Sequence, residues 1–330
     1  MKDSSFDSEK SAEIENIDSM QDLRVRFFSF TGREFDGAVN HELCTFGIPE
    51  VLMGHPVFRE ADSRDEFTKD FRTWLNSGDL IVLLGHPGEM EDAISRELVV
   101  RNLSIISANG KTGIGYIDKY ASKSDVAYIG VQQHLNGLDK QQLKSGKSGM
   151  LRLGELRDSL KEVEPFLRER EVGIISLSAI RKSDAPGKCD EGVSGLTSEE
   201  ACRLARYYGL ADNSKVLWIS GFDSKGTHLN QSANLIAQLV WYFLDGVQCR
   251  VEDYPLKREE LVEIAISGPS EAESVLFYRS KKSGRWWFSL SREFNPLDLL
   301  PCSHLDYQMM CEGDISRRIW DALTSSRNEE

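Results

Sequence analysis

Two short stretches carry residues that could hold a phosphate. Asn109-Gly-Lys-Thr-Gly113 and Ser145-Gly-Lys-Ser-Gly149 each contain a Gly-Lys-Thr/Ser triplet. A phosphate loop also needs a glycine five residues before the triplet's own, so that backbone N–H groups can cradle the anion. Ile105 and Gln141 stand at those positions, which leaves two triplets in polar loops. Gly113-Ile-Gly115 lacks the third glycine of a dinucleotide fingerprint, and Ser194, in Gly-Val-Ser-Gly, lacks the spacing of a nucleophile elbow. The six histidines, His41, His55, His86, His134, His228 and His304, form no HxH, HxxxH or HExxH pair. Isolated imidazoles are structural or exposed more often than catalytic; His86 is kept as a candidate because it directly follows a buried apolar run. The basic, aromatic run Lys281–Trp287 could suit a nucleic acid, but its hairpin spacing favours a turn flanked by core residues.

These side chains must be positioned by elements that the apolar pattern reveals. Leu80–Leu84, Ser104–Ser107, Val126–Gly130, Val172–Ser176 and Val216–Ile219 are short apolar runs of the kind buried on both faces of a parallel sheet. Helical patterns lie between them. Ser63 with Glu66, and Thr197 with Glu200, have capping-box spacing. Phe67, Phe71 and Trp74 follow the first box until Gly78 stops the pattern, while Ala201, Leu204, Ala205 and Tyr208 lead from the second to Gly209. Further helices are expected at about Glu89–Val99 and from about Asn230, with Leu235, Leu239 and Phe243 on one stripe. Val275–Arg279 and Arg285–Ser289 flank the turn Lys281–Gly284, which predicts a C-terminal β-hairpin. The whole reads as a three-layer α/β/α fold with a mainly parallel central sheet, in one domain spanning 23–330 after an acidic, loosely ordered arm at 1–22. Ligands of such a sheet sit at the carboxyl ends of its strands.

Composition narrows the class of function. Forty Lys and Arg against 53 Asp and Glu give a net charge of −13, which disfavours nucleic acid and anionic membrane as partners. The apolar stretch Ala233–Leu244 is too short to span a bilayer, and the N-terminal twenty residues lack the apolar core of a signal peptide. Six cysteines without a CxxC pair read as reduced thiols, which places the chain in the cytoplasm.

The most informative stretch is Ile174-Ile-Ser-Leu-Ser-Ala-Ile-Arg-Lys-Ser-Asp-Ala-Pro-Gly187 followed by Gly195-Leu-Thr-Ser-Glu-Glu-Ala201. It resembles the ureohydrolase superfamily of arginase, agmatinase and formimidoylglutamase, in which a strand delivers a DxDA motif ahead of an APG loop and a GGLT-type helix start. The formimidoylglutamase-like branch is the nearest in pattern. Gln231-Ser-Ala-Asn-Leu-Ile-Ala-Gln-Leu-Val-Trp-Tyr-Phe243, Tyr278-Arg-Ser-Lys-Lys-Ser-Gly-Arg-Trp-Trp287 and Leu300-Pro-Cys-Ser-His-Leu-Asp-Tyr307 agree with it. The resemblance implies an arginase-like α/β/α fold and, in active relatives, a binuclear manganese site of aspartates and histidines. That site activates a bridging hydroxide for attack on a guanidinium or formimino carbon.

Carried over position by position, the resemblance puts none of those ligands in this chain. The family's GGDHS falls on Leu84-Gly-His-Pro-Gly88, so Pro87 takes a histidine ligand's place and His86 stands one residue early. DAHxD falls on Ser107-Ala-Asn-Gly-Lys111, giving Ser107, Asn109 and Lys111 for aspartate, histidine and aspartate. The DxD pair becomes Ser176 and Ser178, and the acidic position after the next strand becomes Ser220. Neutral hydroxyls are weak ligands for a dication and an ammonium repels one, so no metal or other cofactor is expected. The Asp184, Pro186 and Gly187 loop is expected to shape the sheet's edge. The expected function is that of a non-catalytic ureohydrolase homologue acting by self-assembly or by pairing with an active paralogue. Two alternatives are a C–N hydrolase of linear amidines, with a rebuilt site or a metal-free one using Lys111 and His86, and a sensor of a small molecule in the vacated pocket. Lys111, reaching towards Ser176, Ser178 or Asn109, would let that pocket take a small anionic ligand.

Overall fold

The computed structural model describes residues 24–47, 58–59, 64–86, 88, 91–99, 101–120, 125–135, 149–253, 256–267, 274–291 and 293–326. The arm at 1–22, Pro87, Ser63 with its capping box, and most of the Ser145–Gly149 triplet lie outside them. The first half of the chain runs β1 (Val25–Ser29), α1 (Arg33–Phe46), β2 (Phe58–Arg59), α2 (Arg64–Ser77), β3 (Leu80–Leu84), α3 (Glu91–Leu98), β4 (Leu103–Ile106), α4 (Gly115–Tyr120), β5 (Val126–Val131) and β6 (Gly149–Arg152). There follow α5 (Leu153–Asp158), α6 (Glu164–Leu167), β7 (Val172–Ser176), α7 (Ser198–Gly209), β8 (Val216–Ser220) and α8 (Leu229–Gln248). The C-terminal part comprises β9 (Leu261–Ser267), β10 (Ser274–Ser280), β11 (Trp286–Ser289), β12 (Leu300–Cys302), α9 (His304–Cys311) and α10 (Arg317–Ser326).

Eight parallel strands form one sheet in the order β2-β1-β3-β8-β7-β4-β5-β6. The alternation of side chains sorts each apolar run between two helix layers. Leu80, Val82 and Leu84 pack with Phe35, Leu204, Leu239 and Phe243 on one side. Ile81 and Leu83 pack with Phe67, Phe71, Trp74, Ile94 and Trp218 on the other. Gly78, at φ +83°, ends α2 as its spacing predicts. The second capping box is present: Glu200 N–H donates to Thr197 Oγ1 at 3.1 Å and Thr197 N–H to Glu200 Oε2 at 2.7 Å. Gly209 does more than end α7, since a Cβ there would lie 2.0 Å from the Phe243 carbonyl oxygen of α8. Among the described residues, no helix is long and apolar enough to cross a membrane.

The expected C-terminal hairpin is the middle of a four-stranded antiparallel sheet, β12-β11-β10-β9. As the hairpin spacing requires, Trp286 and Trp287 are buried rather than displayed for a nucleic acid. One face packs Val275, Phe277, Trp286 and Phe288 against Met310 and Ile319 of α9 and α10. The other face gathers Leu256, Leu261, Leu276, Tyr278, Trp287 and Leu299.

A buried charge network joins the two sheets. Arg168, 2% exposed, donates to Glu164 Oε1 at 3.0 Å, to the Trp286 carbonyl at 2.6 Å and to the Cys302 carbonyl at 3.3 Å. Its guanidinium also lies over the Trp287 ring, 4.5 Å from the centroid. Arg285 Nε stands 3.2 Å from Glu164 Oε1, and another Arg285 nitrogen donates to the Leu210 carbonyl at 2.8 Å. Burial pulls the Glu164 carboxyl upward, but Arg168, then Arg285 and Arg318, outweigh it and hold the group below the usual glutamate range.

Candidate functional site

The strand order places β8 and β7 between β3 and β4, so that the order in which strands are added reverses near the sheet's centre. Loops leaving the carboxyl ends at such a point form the natural ligand crevice of an open α/β sheet. The register sets Ser176 directly beside Ser220, with Ser107 following β4 on the next strand. Ser107, Ser176, Ser178 and Ser220 therefore lie at neighbouring strand ends, and the hydroxyls of Ser176, Ser178 and Ser220 are engaged. Ser220 Oγ donates to the Thr112 carbonyl at 2.8 Å. Ser176 Oγ accepts from Ser178 N–H at 3.3 Å, and Ser178 Oγ accepts from Ala108 N–H at 3.4 Å. Ser107 is fully buried, and its hydroxyl has no hydrogen-bond partner among the described residues. Gly221, at φ +75°, follows β8 so closely that a Cβ would stand 2.7 Å from Ser176 Oγ. Only glycine suits that conformation and that contact.

The Asn109–Gly113 loop is tied down by Asp118, a residue outside every motif named above. Asp118 accepts from Thr112 N–H at 2.6 Å, from Thr112 Oγ1 at 2.8 Å and from Gly113 N–H at 3.2 Å. A carboxylate of the chain thus occupies the Thr112 and Gly113 amides, so that these two donors are not open to an external anion. Burial pushes the Asp118 carboxyl above the usual aspartate range, against the opposing pull of those donors and of Lys111. Its place six residues after Thr112, in the first turns of a helix, is a local signal that could have been read.

Two expectations need correction. Lys111 is exposed, and its backbone N–H, not its ammonium, bonds Asn109 Oδ1 at 2.9 Å. Among the described residues no hydrogen bond joins its ammonium to Ser176, Ser178 or Asn109. A strongly hydrated ammonium gains more from water than from a nearly closed cluster of neutral hydroxyls. His86 is exposed too, and both of its ring nitrogens are occupied. Nδ1 accepts from Gly88 N–H at 3.2 Å, which puts the proton of the neutral ring on Nε2, 3.0 Å from Glu91 Oε2. Glu91 in turn accepts from Tyr116 N–H at 2.8 Å, so His86 belongs to a brace between α3 and the start of α4. A metal-free site built on Lys111 and His86 has no support in this geometry.

The Asp184, Pro186 and Gly187 loop is a fastening. Asp184 Oδ1 accepts from Arg181 Nε at 2.6 Å, and Oδ2 accepts from Ser198 N–H at 2.9 Å, at the first residue of α7. Burial opposes the charge, but Arg181, Ser198 N–H and Ser183 hold the carboxyl below its ordinary range. Pro186 is half-buried. A Cβ on Gly187 would lie 2.1 Å from Ser232 Oγ, so glycine lets the loop lie on the first turn of α8. Lys188, with its side chain fully buried, donates to the Ile180 carbonyl at 2.7 Å and closes the loop on itself.

The donor set does not fit a manganese pair. A hard dication needs several anionic oxygens or imidazoles, and among the described residues no group of three or more His, Cys, Asp or Glu side chains converges. The strand ends offer neutral hydroxyls, most of them bonded to backbone. A surface groove between α2 and α3, lined by Thr68, Arg72, Ala93 and Arg96, includes none of the expected site residues.

Comparison with known proteins bears on the fold. Neither a protein-family profile nor a curated protein sequence matches the chain. Among solved structures, the chain is similar to Trypanosoma cruzi formiminoglutamase with manganese, at a TM-score of 0.54 and 13% identity over 69% of this chain and 94% of that one. It is likewise similar to Bacillus subtilis formimidoylglutamase, at a TM-score of 0.54 and 12% identity over 70% and 89%. Residues 24–249, which carry the parallel sheet and its helices, are themselves about two thirds of the chain. This chain has the fold of those two structures over its parallel layer, with an antiparallel sheet following the last helix of that layer.

Proposed function

We propose that this protein is a non-catalytic ureohydrolase homologue that acts through assembly or partner binding. The observation that carries the reading is the hydroxyl cluster at the ends of β4, β7 and β8. Ser176 and Ser220 are committed to neighbouring backbone, and Gly221 lies so close to Ser176 that a Cβ there would stand 2.7 Å from its Oγ. Activation of water on a metal pair requires anionic ligands that hold two dications together, and the resemblance puts serines at those positions. Hydrolysis of a linear amidine without metal would need a free general base, and His86 is bound at both nitrogens.

The test is an assay of the full chain, purified with added manganese, on formiminoglutamate, agmatine and arginine. The expected result is no turnover above a manganese-only control. Turnover that disappears on substituting a strand-end serine would overturn the reading. One observation favours a second role: the buried, unpartnered hydroxyl of Ser107 is a feature that a small polar ligand could satisfy. A rise in melting temperature with acetate or phosphate, lost in Ser107→Ala, would establish a sensor of small anions instead.

A further inference from the structure

The antiparallel sheet ends in two unlike edges. β12 is three residues long, and its middle residue, Pro301, has no N–H to offer at the open side. β9 runs seven residues, pairs with β10 at seven consecutive positions without a bulge, and has no second neighbour among the described strands. Its sequence, Leu-Val-Glu-Ile-Ala-Ile-Ser, holds no lysine or proline. Edge strands of stable monomers are usually blunted by just those devices, because open N–H and C=O groups template another strand.

The ladder shows which backbone groups are open. Lys281 N–H donates to the Glu260 carbonyl at 2.9 Å, at the end of the β9–β10 pairing. Antiparallel alternation then turns the amides of Val262, Ile264 and Ile266 towards β10, and those of Glu263 and Ala265 outward. Val262 is 39% exposed, while Ile264 and Ile266 are half-buried on the face that packs against α9 and α10. Glu263 is exposed and accepts from Arg258 at 2.8 Å.

We propose that β9 is the interface of a two-fold dimer, pairing antiparallel with β9 of a second copy of this chain. The sequence of the strand favours itself as partner. In the register centred on Ile264, Val262 meets Ile266 and Ile264 meets Ile264, so one face of the junction is wholly β-branched and aliphatic. On the other face Glu263 meets Ala265, so no like charges oppose. The same register aligns the outward groups of Glu263 and Ala265 as hydrogen-bonded pairs, and joins the two four-stranded sheets into one. The inference gives the assembly reading a surface, but it does not depend on loss of hydrolysis: a monomeric chain would overturn the edge and leave the manganese result as it stands.

Sedimentation equilibrium on the full chain tests it, with Ala265→Pro and Val262→Lys beside the wild type. Proline at 265 removes an outward N–H and no bond to β10. The wild type is expected to dimerise, with each variant weakening association at least about tenfold while the far-ultraviolet spectrum is preserved. Hydrogen exchange at the Glu263 and Ala265 amides is expected to be slow in the dimer and to quicken on dilution. A monomer throughout the accessible concentrations, or association indifferent to both substitutions, would overturn the proposal. If Ala265→Pro does not fold, Val262→Lys and the two amides decide: rapid exchange at both in an associated species overturns it.

Discussion

Two polar regions of this molecule use opposite chemistry. At the carboxyl ends of β4, β7 and β8, the buried groups are the neutral hydroxyls of Ser107, Ser176 and Ser220. Where the parallel and antiparallel sheets meet, the groups are acids and guanidinium side chains set in ion pairs: Glu164, Arg168, Arg285 and, close to Arg285, Asp212 and Asp253. A buried charge must be matched or it is costly, and the matching at the joint is done within the chain. A hydroxyl needs only one or two hydrogen bonds, and two of the three serines obtain them locally. Glu164 thus helps fasten one sheet to the other, while Ser107, Ser176 and Ser220 bring only neutral hydroxyls to the strand ends, where the Asp118 carboxylate is taken up by the Thr112 and Gly113 donors.

The comparison can be broken most sharply at Arg168. Arg168→Ala leaves Glu164 short of its main partner and takes the buried guanidinium's hydrogen bonds from the Trp286 and Cys302 carbonyls. The expected loss is about 3–5 kcal/mol, read by urea denaturation; a loss below about 1 kcal/mol would show that the joint does not depend on this network.

Acid probes the same region more gently. The Glu164 carboxyl lies below its ordinary range in the folded protein, so it contributes stability that is complete above the unfolded value of about 4.3 and is lost as pH falls through the folded value. Denaturation midpoints should therefore fall below about pH 4.3, and less steeply in Glu164→Gln at matched conditions. Equal slopes in the two proteins would remove Glu164 from the account.

The strand ends should respond least. Ser220→Ala removes the donor to the Thr112 carbonyl and is expected to cost about 1 kcal/mol, with no change in fold by circular dichroism. A loss as large as that of Arg168→Ala would erase the contrast between the regions.

The sequence displayed the centre of the fold more clearly than its margins. The strands β3 and β7 lie where their apolar runs begin and end, because both of their faces are buried. β1 is interrupted by Arg26, whose partner Asp79 lies 53 residues away, and so its strand pattern is broken. β6 and β9 are edge strands, mixed in polarity because one side of each is less enclosed, and β12 is an edge of only three residues. The joint between sheets was illegible for a similar reason, since Arg168 meets the Trp286 carbonyl across 118 residues. At the strand ends, the grouping of Ser107, Ser176, Ser178 and Ser220 was legible once the parallel order was granted. The directions of Lys111 and His86 were not, because solvation and the local partners Gly88 and Glu91 decide them.

Direct titration of the metal-free chain with manganese, followed by calorimetry and by elemental analysis after dialysis, addresses the central claim most closely. The account predicts no stoichiometric retention, and no change when Ser176 and Ser220 are replaced by alanine. Stoichiometric manganese retained by the wild type and released by those substitutions would contradict it.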